Sequence, residues 1–480
     1  MAVIKTFYWY DYETYGTEPM FDRLVQFAGV RTDEQLNIVG EPLTLYVKPA
    51  NDFLPNADSS MITGISPQKA LAEGLPEAEA IRRINQEFSQ PGTCVVGYNN
   101  IRFDDEFTRY TLYRSLLDPY AREWRNGNSR WDLLDVARAT RALRPEGINW
   151  PTNAEGRPSI RLEDLSVAND IKHESAHDAL SDVYATIAVA KLILEKQPKI
   201  FEYCLKSRNK QHVLKMLNLK EQKWVVHASG MYPVEHGNIA LVIPVATHPT
   251  NKNAVVVYDL RYDPSSWINL SAKEIHKRIF TAKDDLPEGV ERIPLKTIQA
   301  NKCPIIAPFT TLTSDAAKQY KIDLNKSRQH YDSVRSSPGL REKIQKVFSS
   351  TEFIKRTDPD CLLYGGAFFS DADRVAMNHI HTLAPSDLPD HTPAFSDERL
   401  AELYFRYKAR NWPELLSDSD KQRWKEFRLN RIENPVGSHL APEAYFQRLK
   451  DLKQDPERSE AQIQLLGELE VYAKEIMSGP

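Results

Sequence analysis

Residues 6–16 read TFYWYDYETYG. The aromatic and apolar run reads as a buried strand, and it ends in two carboxylates, Asp11 and Glu13, separated by one residue. Side chains alternate along a strand, so both acids leave on one face and Tyr12 on the other. Adjacent carboxylates repel unless something cationic sits between them. Closely spaced oxygen ligands suit Mg²⁺ or Mn²⁺, and a pair of such ions about 3.5 to 4 Å apart is the usual device for cutting phosphodiesters. Taken alone, the motif leaves open a strand end whose acids face water.

Two later stretches supply partners. In VVGYNNIRFDDEFTR, Val95 and Val96 end a strand, Gly97 to Asn100 form a turn, and Asp104 enters a helix, where Asp105 and Glu106 are expected as solvated first-turn acids. In SAHDALSDVYATIAVAKLI, Val183, Ile187, Ala190 and Leu194 form the apolar stripe of a helix lying on a sheet. Asp182 stands at its start and His177 upstream, at a frayed end or in the loop before it. An imidazole there, with an unperturbed pKa near 6.5, suits a general base beside metal-bound water.

The texture of the chain changes twice. Strand and helix patterns mix up to about residue 198, giving an α/β domain. From about 224, KWVVHAS, NIALVIPVAT, NAVVVYDL, ERIPLKTI and CPIIAPF are short β-rich runs between Gly, Pro and Asn, as in a small barrel or curled sheet. Beyond about 353 the pattern is helical, and several segments open with Ser followed by acids. At about 150 residues per domain, 480 residues make roughly three domains, expected at 1–198, 199–352 and 353–480.

Composition narrows the class. A net charge of −4 excludes a uniformly basic nucleic-acid coat, so any polyanion site comes from local clusters of Arg and Lys. The four cysteines are far apart with no C-x-x-C pair, against a structural zinc site or a disulfide framework. No secretory h-region precedes Asp11 and no apolar run of about 18 residues offers a membrane span, so the expected location is the cytoplasm.

The ordered set Asp11-x-Glu13, Asp104 after GYNN, and His177-x-x-x-x-Asp182 resembles the motifs of the DEDDh superfamily of 3′-to-5′ exonucleases. Reading outward, DYETYG, ITGISPQ, NSRWDLLD, RALRPEGINWP, VHASGM, NKCP, FFSDADR and YKARNWP make essentially the whole chain similar to the bacterial exonuclease I family. The stretch around YKIDLNKSRQHYDSV departs from it by being slightly longer. The resemblance implies an RNase H-like α/β exonuclease domain with a mixed sheet, an SH3-like β-barrel domain and an all-α C-terminal domain. It implies 3′-to-5′ degradation of single-stranded DNA to 5′-mononucleotides in DNA repair and recombination. Asp11, Glu13, Asp104 and Asp182 would hold two Mg²⁺ ions, with Mn²⁺ a plausible substitute, and His177 would take the proton from the attacking water.

Between Arg109 and Arg144, arginines interleave with tyrosines and tryptophans, matching phosphates and unpaired bases. The favoured DNA contacts are Arg109, Tyr120, Trp124 and Arg138. Arg161 resembles a substrate-binding arginine of the family, and Glu13, Thr14, Ile62 and Ile65 would frame the terminal nucleotide. Two basic stretches, Arg328 to Lys346 and Lys421 to Arg431, fit the implied passage over the strand and the docking of the acidic C-terminal tail of single-stranded-DNA-binding protein. A monomer is expected. The rivals are a compact ribonuclease or proofreading nuclease, which would share the five active-site residues, and a non-catalytic single-strand-binding module with a structural ion.

Overall fold

The computed structural model describes residues 4–173, 178–349 and 356–479. The chain forms two compact units that interleave along the sequence: one comprises residues 2–129, 173–184 and 355–480, the other 130–172 and 185–354.

In the first unit, strand β1 (Thr6–Thr14) pairs antiparallel with β2 (Leu24–Thr32) and parallel with β4 (Thr93–Gly97), and β2 pairs antiparallel with β3 (Leu43–Tyr46). The sheet is therefore mixed. Alternation along β1 puts Tyr8, Tyr10 and Tyr12 into one apolar cluster with Phe27, Phe88 and Phe107, which explains why a strand so aromatic precedes charged residues. On the other side Trp9 is fully buried and donates to Thr32 Oγ1 at 2.9 Å. The described C-terminal residues are helical, with long helices at Asp371–Ile380, Glu398–Asn411, Asp418–Glu433, Pro442–Lys453 and Glu460–Ser478. Ser370 and Ser459 accept from backbone N–H groups of the first turns, as their sequence positions imply, and Ser459 forms a full capping box with Gln462, whereas the Asp418–Glu433 helix is capped by Ser417, two residues ahead of the expected Ser419. At the Glu398 helix the cap is Asp397, not the serine before it.

These helices share a core with the sheet region. Ala78, Tyr110 and Tyr113 pack with Leu400, Leu403 and Tyr407. Beneath them lies a buried ionic cluster. Asp360 accepts from Arg406 at 2.9 Å, from Arg410 at 2.6 Å and from Arg431 at 2.8 Å, while Arg410 also reaches Asp52 at 2.7 Å. Both aspartates are fully buried.

Strand β5 (Ser129–Asp132) leads out of the first unit; in the second, β6 (Val225–Ala228), β7 (Ile239–Thr247), β8 (Ala254–Asp259), β9 (Leu295–Gln299) and β10 (Ile305–Pro308) form an antiparallel sheet in the order β10-β6-β7-β8-β9. Val225, Val242, Val257 and Ile306 pack with Val213 and Leu217. The expected barrel is here an open sheet: β10 and β9 are its edges and do not pair. β10 is only four residues long and ends on Pro308, which has no N–H to donate to a further strand. No helix among the described residues is long and apolar enough to cross a membrane.

Candidate active site

Because Asp11 and Glu13 point away from the tyrosine face of β1, they emerge together. The first turn of the Ala179–Lys196 helix brings Asp182 to them, and one carboxylate oxygen from each of the three lies within 4.8 Å of the others. Asp104 opens the Asp104–Arg114 helix, is buried, and its charge bears on both Asp11 and Glu13. The turn leading to it is tight. A β-carbon at Gly97 would stand 2.9 Å from the Tyr10 carbonyl oxygen and 2.8 Å from Asn100 Cβ, so glycine alone lets the chain leave β4 this close to β1.

Burial, followed by the charges of Asp104, Glu13 and Asp182, pushes the Asp11 carboxyl well above its ordinary range. Burial and the charges of Asp182, Asp104 and Asp178 push Glu13 up to about 8. Such a cluster is unfavourable by itself and is relieved by a dication. The donor set is all carboxylate oxygen, so the residues present fit a hard divalent cation.

His177 lies outside the described residues. The sequence reading passed over His173, whose Nε2 is 2.5 Å from Asp182 Oδ1. The available signal was the pair of histidines four residues apart in HESAH, both upstream of Asp182.

Asp105 is not a solvated acid. It is fully buried, accepts from Tyr10 Oη at 2.9 Å and pairs with Arg122 Nη2 at 2.7 Å. Tyr12 Oη and Thr108 Oγ1 lie 3.1 Å apart. The tyrosines on the far face of β1 thus fasten the helix that carries Asp104 to the strand that carries Asp11 and Glu13.

The expected substrate contacts divide. Trp124 is 64% exposed, with Arg125 stacked at 5.6 Å. Tyr120 lines a small cavity of about 110 Å³ with Arg125, Arg374 and the 81% exposed Phe368. Arg109, by contrast, is buried with every guanidinium nitrogen engaged: Nε and Nη2 on Glu123, Nη1 on Glu106 and Tyr364. It serves the fold rather than presenting donors to a phosphate. Ile62 is 59% exposed, whereas Ile65 belongs to an apolar cluster with Tyr15, Val25 and Phe53. Thr14 is buried and donates to the Gly16 carbonyl at 2.7 Å. Arg138 and Arg161 lie in the other compact unit, where Arg138 pairs with Asp135 at 2.5 Å and exposed Arg161 stands 3.5 Å from Glu163. The basic run from Lys421 divides as well, with Lys421 and Arg423 exposed. Arg428 and Arg431 are buried, and Arg428 donates to the carbonyls of Ile476 and Gly479.

A mixed sheet presenting clustered carboxylates beside a helix start has the chemistry of a metal-dependent nuclease. Matches to family models agree: an exonuclease domain at residues 8–190, an exonuclease I SH3-like domain at 208–350 and an exonuclease I C-terminal domain at 357–476. The chain belongs to the exonuclease I family. It is 46% identical over 452 residues to exodeoxyribonuclease I of Haemophilus influenzae, covering 94% of this chain and 95% of the relative. It matches the crystal structure of Escherichia coli exonuclease I in complex with a dA16 oligonucleotide with a TM-score of 0.94 at 44% identity, covering 98% of this chain and 100% of that one. The zinc-ion-bound form of the E. coli exonuclease I complex with single-stranded DNA matches at 0.93, also 44% identical, covering 98% and 99%.

Proposed function

We propose that the protein hydrolyses single-stranded DNA from its 3′ end to 5′-mononucleotides in a divalent-cation-dependent reaction, acting in DNA repair and recombination. The observation that carries this reading is the convergence of Asp11, Glu13 and Asp182 on one point in a chain that runs the full length of a relative crystallised on an oligonucleotide. Asp11, Glu13, Asp104 and Asp182 would hold two Mg²⁺ ions. Bound there, the ions supply a lowered pKa for a water and neutralise charge on the departing 3′ oxygen. His177 accepts the proton of the attacking water at a ring nitrogen, from the segment just before Asp178, and Asp178 fixes the helix start by accepting from Ser181 N–H at 3.3 Å. Exposed Trp124 and half-buried Tyr120 offer ring faces to unpaired bases, which a duplex keeps stacked internally.

The domain boundaries proposed from the sequence, 1–198, 199–352 and 353–480, are supported by the three family-model ranges. For a partner, we propose the acidic tail of single-stranded-DNA-binding protein. The second unit carries a cleft of about 390 Å³ lined by Leu143, Ile200 and Ile305 together with Arg144 and Lys199, chemistry suited to an acidic, apolar-tipped chain end. A monomer in the cytoplasm is part of the same proposal.

The test is release of mononucleotides from a 3′-labelled single-stranded oligodeoxynucleotide with and without Mg²⁺, alongside its duplex and its RNA counterpart. Label is expected in 5′-mononucleotides from the single strand only when the cation is present. Bound oligonucleotide with no product would overturn the reading, and equal cleavage of RNA would overturn its DNA specificity. In the same assay Trp124→Ala is expected to weaken binding about tenfold, within the roughly 1–3 kcal/mol of one base stack. Arg109→Ala is expected instead to lower thermal stability, since it strands Glu106 and Glu123.

A further inference from the structure

The site joins elements that meet only in three dimensions: β1 supplies Asp11 and Glu13, and the Ala179–Lys196 helix supplies Asp182. Something must set the distance between them. Beside β1, on β2, Gln26 stands directly opposite Glu13 in the antiparallel register and is buried. Its amide spans the gap to the helix start. Nε2 donates to Asp178 Oδ1 at 3.2 Å, and Oε1 accepts the backbone N–H of Ala179 at 3.4 Å. Asp178 in turn caps the helix, accepting from Ser181 N–H through Oδ2, and its carbonyl accepts the N–H of Asp182 itself at 3.1 Å. Nε2 also lies 3.4 Å from Tyr46 Oη on β3, whose ring carries Lys69 Nζ at 4.8 Å.

We infer that Gln26 is a positioning residue for the metal site, tying the end of β1 that carries Glu13 to the first turn that carries Asp182; the inference rests on the nuclease reading above. The chemistry asks for this residue type. One end of the side chain must donate to a carboxylate while the other accepts from a backbone N–H, which among neutral side chains of this length glutamine does. An apolar replacement leaves Asp178 beside Glu13 without that donor. A glutamate would keep the bond to Ala179 but place another negative charge among carboxylates. Misplacing reacting groups by about 1 Å is enough to lose on the order of 100-fold in rate.

The experiment compares wild type, Gln26→Leu, Gln26→Glu and the exchange Gln26→Glu with Asp178→Asn. The last reverses donor and acceptor at constant charge. Three quantities are read: Mn²⁺ affinity by electron paramagnetic resonance without DNA, kcat and KM on a single-stranded oligonucleotide, and melting temperature. Both single variants are expected to bind Mn²⁺ at least fivefold more weakly and to lose tenfold or more in kcat with KM within twofold, and the exchange to recover most of both losses. Unchanged Mn²⁺ affinity in folded Gln26→Leu would overturn the inference. So would parallel losses of kcat and melting temperature that the exchange leaves unrepaired. Because Mn²⁺ binding is read without turnover, a wild type that binds the ion yet releases no nucleotide sinks the nuclease reading and leaves this comparison standing.

Discussion

Asp182→Ala is expected to reduce mononucleotide release from single-stranded DNA by about a thousandfold or more, with oligonucleotide affinity changed only a few-fold. Losing a metal ligand, the role proposed for Asp182, removes stabilisation made in the transition state rather than in the bound substrate, so kcat falls and KM does not. The structure adds a second expectation with the opposite sign. Glu13 has its pKa raised by burial and by the neighbouring acids to about 8. In an unfolded chain the same carboxyl titrates near its ordinary value of about 4.3. Between those values the folded protein binds the extra proton, so stability is present in full below the unfolded pKa and is lost as pH rises toward about 8. Glu13→Gln is therefore expected to abolish turnover and yet to melt at a higher temperature than wild type in EDTA above pH 8. Adding Mg²⁺ narrows that gap by stabilising the wild type alone. A Glu13→Gln protein melting below wild type in EDTA at pH 8.5 would contradict the electrostatic account of the site.

The sequence made the carboxylate-bearing elements of the site legible because each is governed by a short period. Alternation along TFYWYDYET put Asp11 and Glu13 on one face and the tyrosines on the other, as β1 shows. The helical repeat from Val183 placed Asp182 at a helix start, and two of the serines before the C-terminal helices, Ser370 and Ser459, are real caps. What escaped was long-range pairing of charge. Asp105 looked like an ordinary first-turn acid because its partners, Tyr10 and Arg122, come from other elements. Arg109 reads as a phosphate ligand because only Glu106, one helical turn before it, is a local partner, while Glu123 and Tyr364 come from other elements. Gln26 sits in an apolar strand pattern, and its partner Asp178 is 152 positions away. Closure of the second sheet was equally beyond reach, since strand count and spacing are the same for a barrel and an open sheet.

The ionic cluster under the C-terminal helices gives the second large effect, and it acts on the fold. Asp360 is buried against Arg406, Arg410 and Arg431, and Asp52 shares Arg410 across 358 positions of sequence. Although burial alone would raise both carboxyls, the surrounding guanidiniums hold Asp360 and Asp52 well below the ordinary carboxylate range. Removing one partner of such a cluster leaves buried charge uncompensated, so Asp360→Ala is expected to cost about 3–5 kcal/mol. The dependence on pH has a definite sign. A depressed folded pKa contributes stability that is present above the unfolded value of about 3.9 and is lost as pH falls through the folded one. Denaturation of wild type and Asp360→Ala should thus show a constant gap from about pH 5 to 8 that shrinks below about pH 4, where the wild type loses what the variant never had. Asp360→Asn keeps the shape and loses the charge, so it should fall between the two at neutral pH. If instead Asp360→Asn matched wild type at pH 7, the arginines would be held by packing and hydrogen bonds alone, and the charge of Asp360 would carry none of the attachment between the Glu398–Asn411 and Asp418–Glu433 helices.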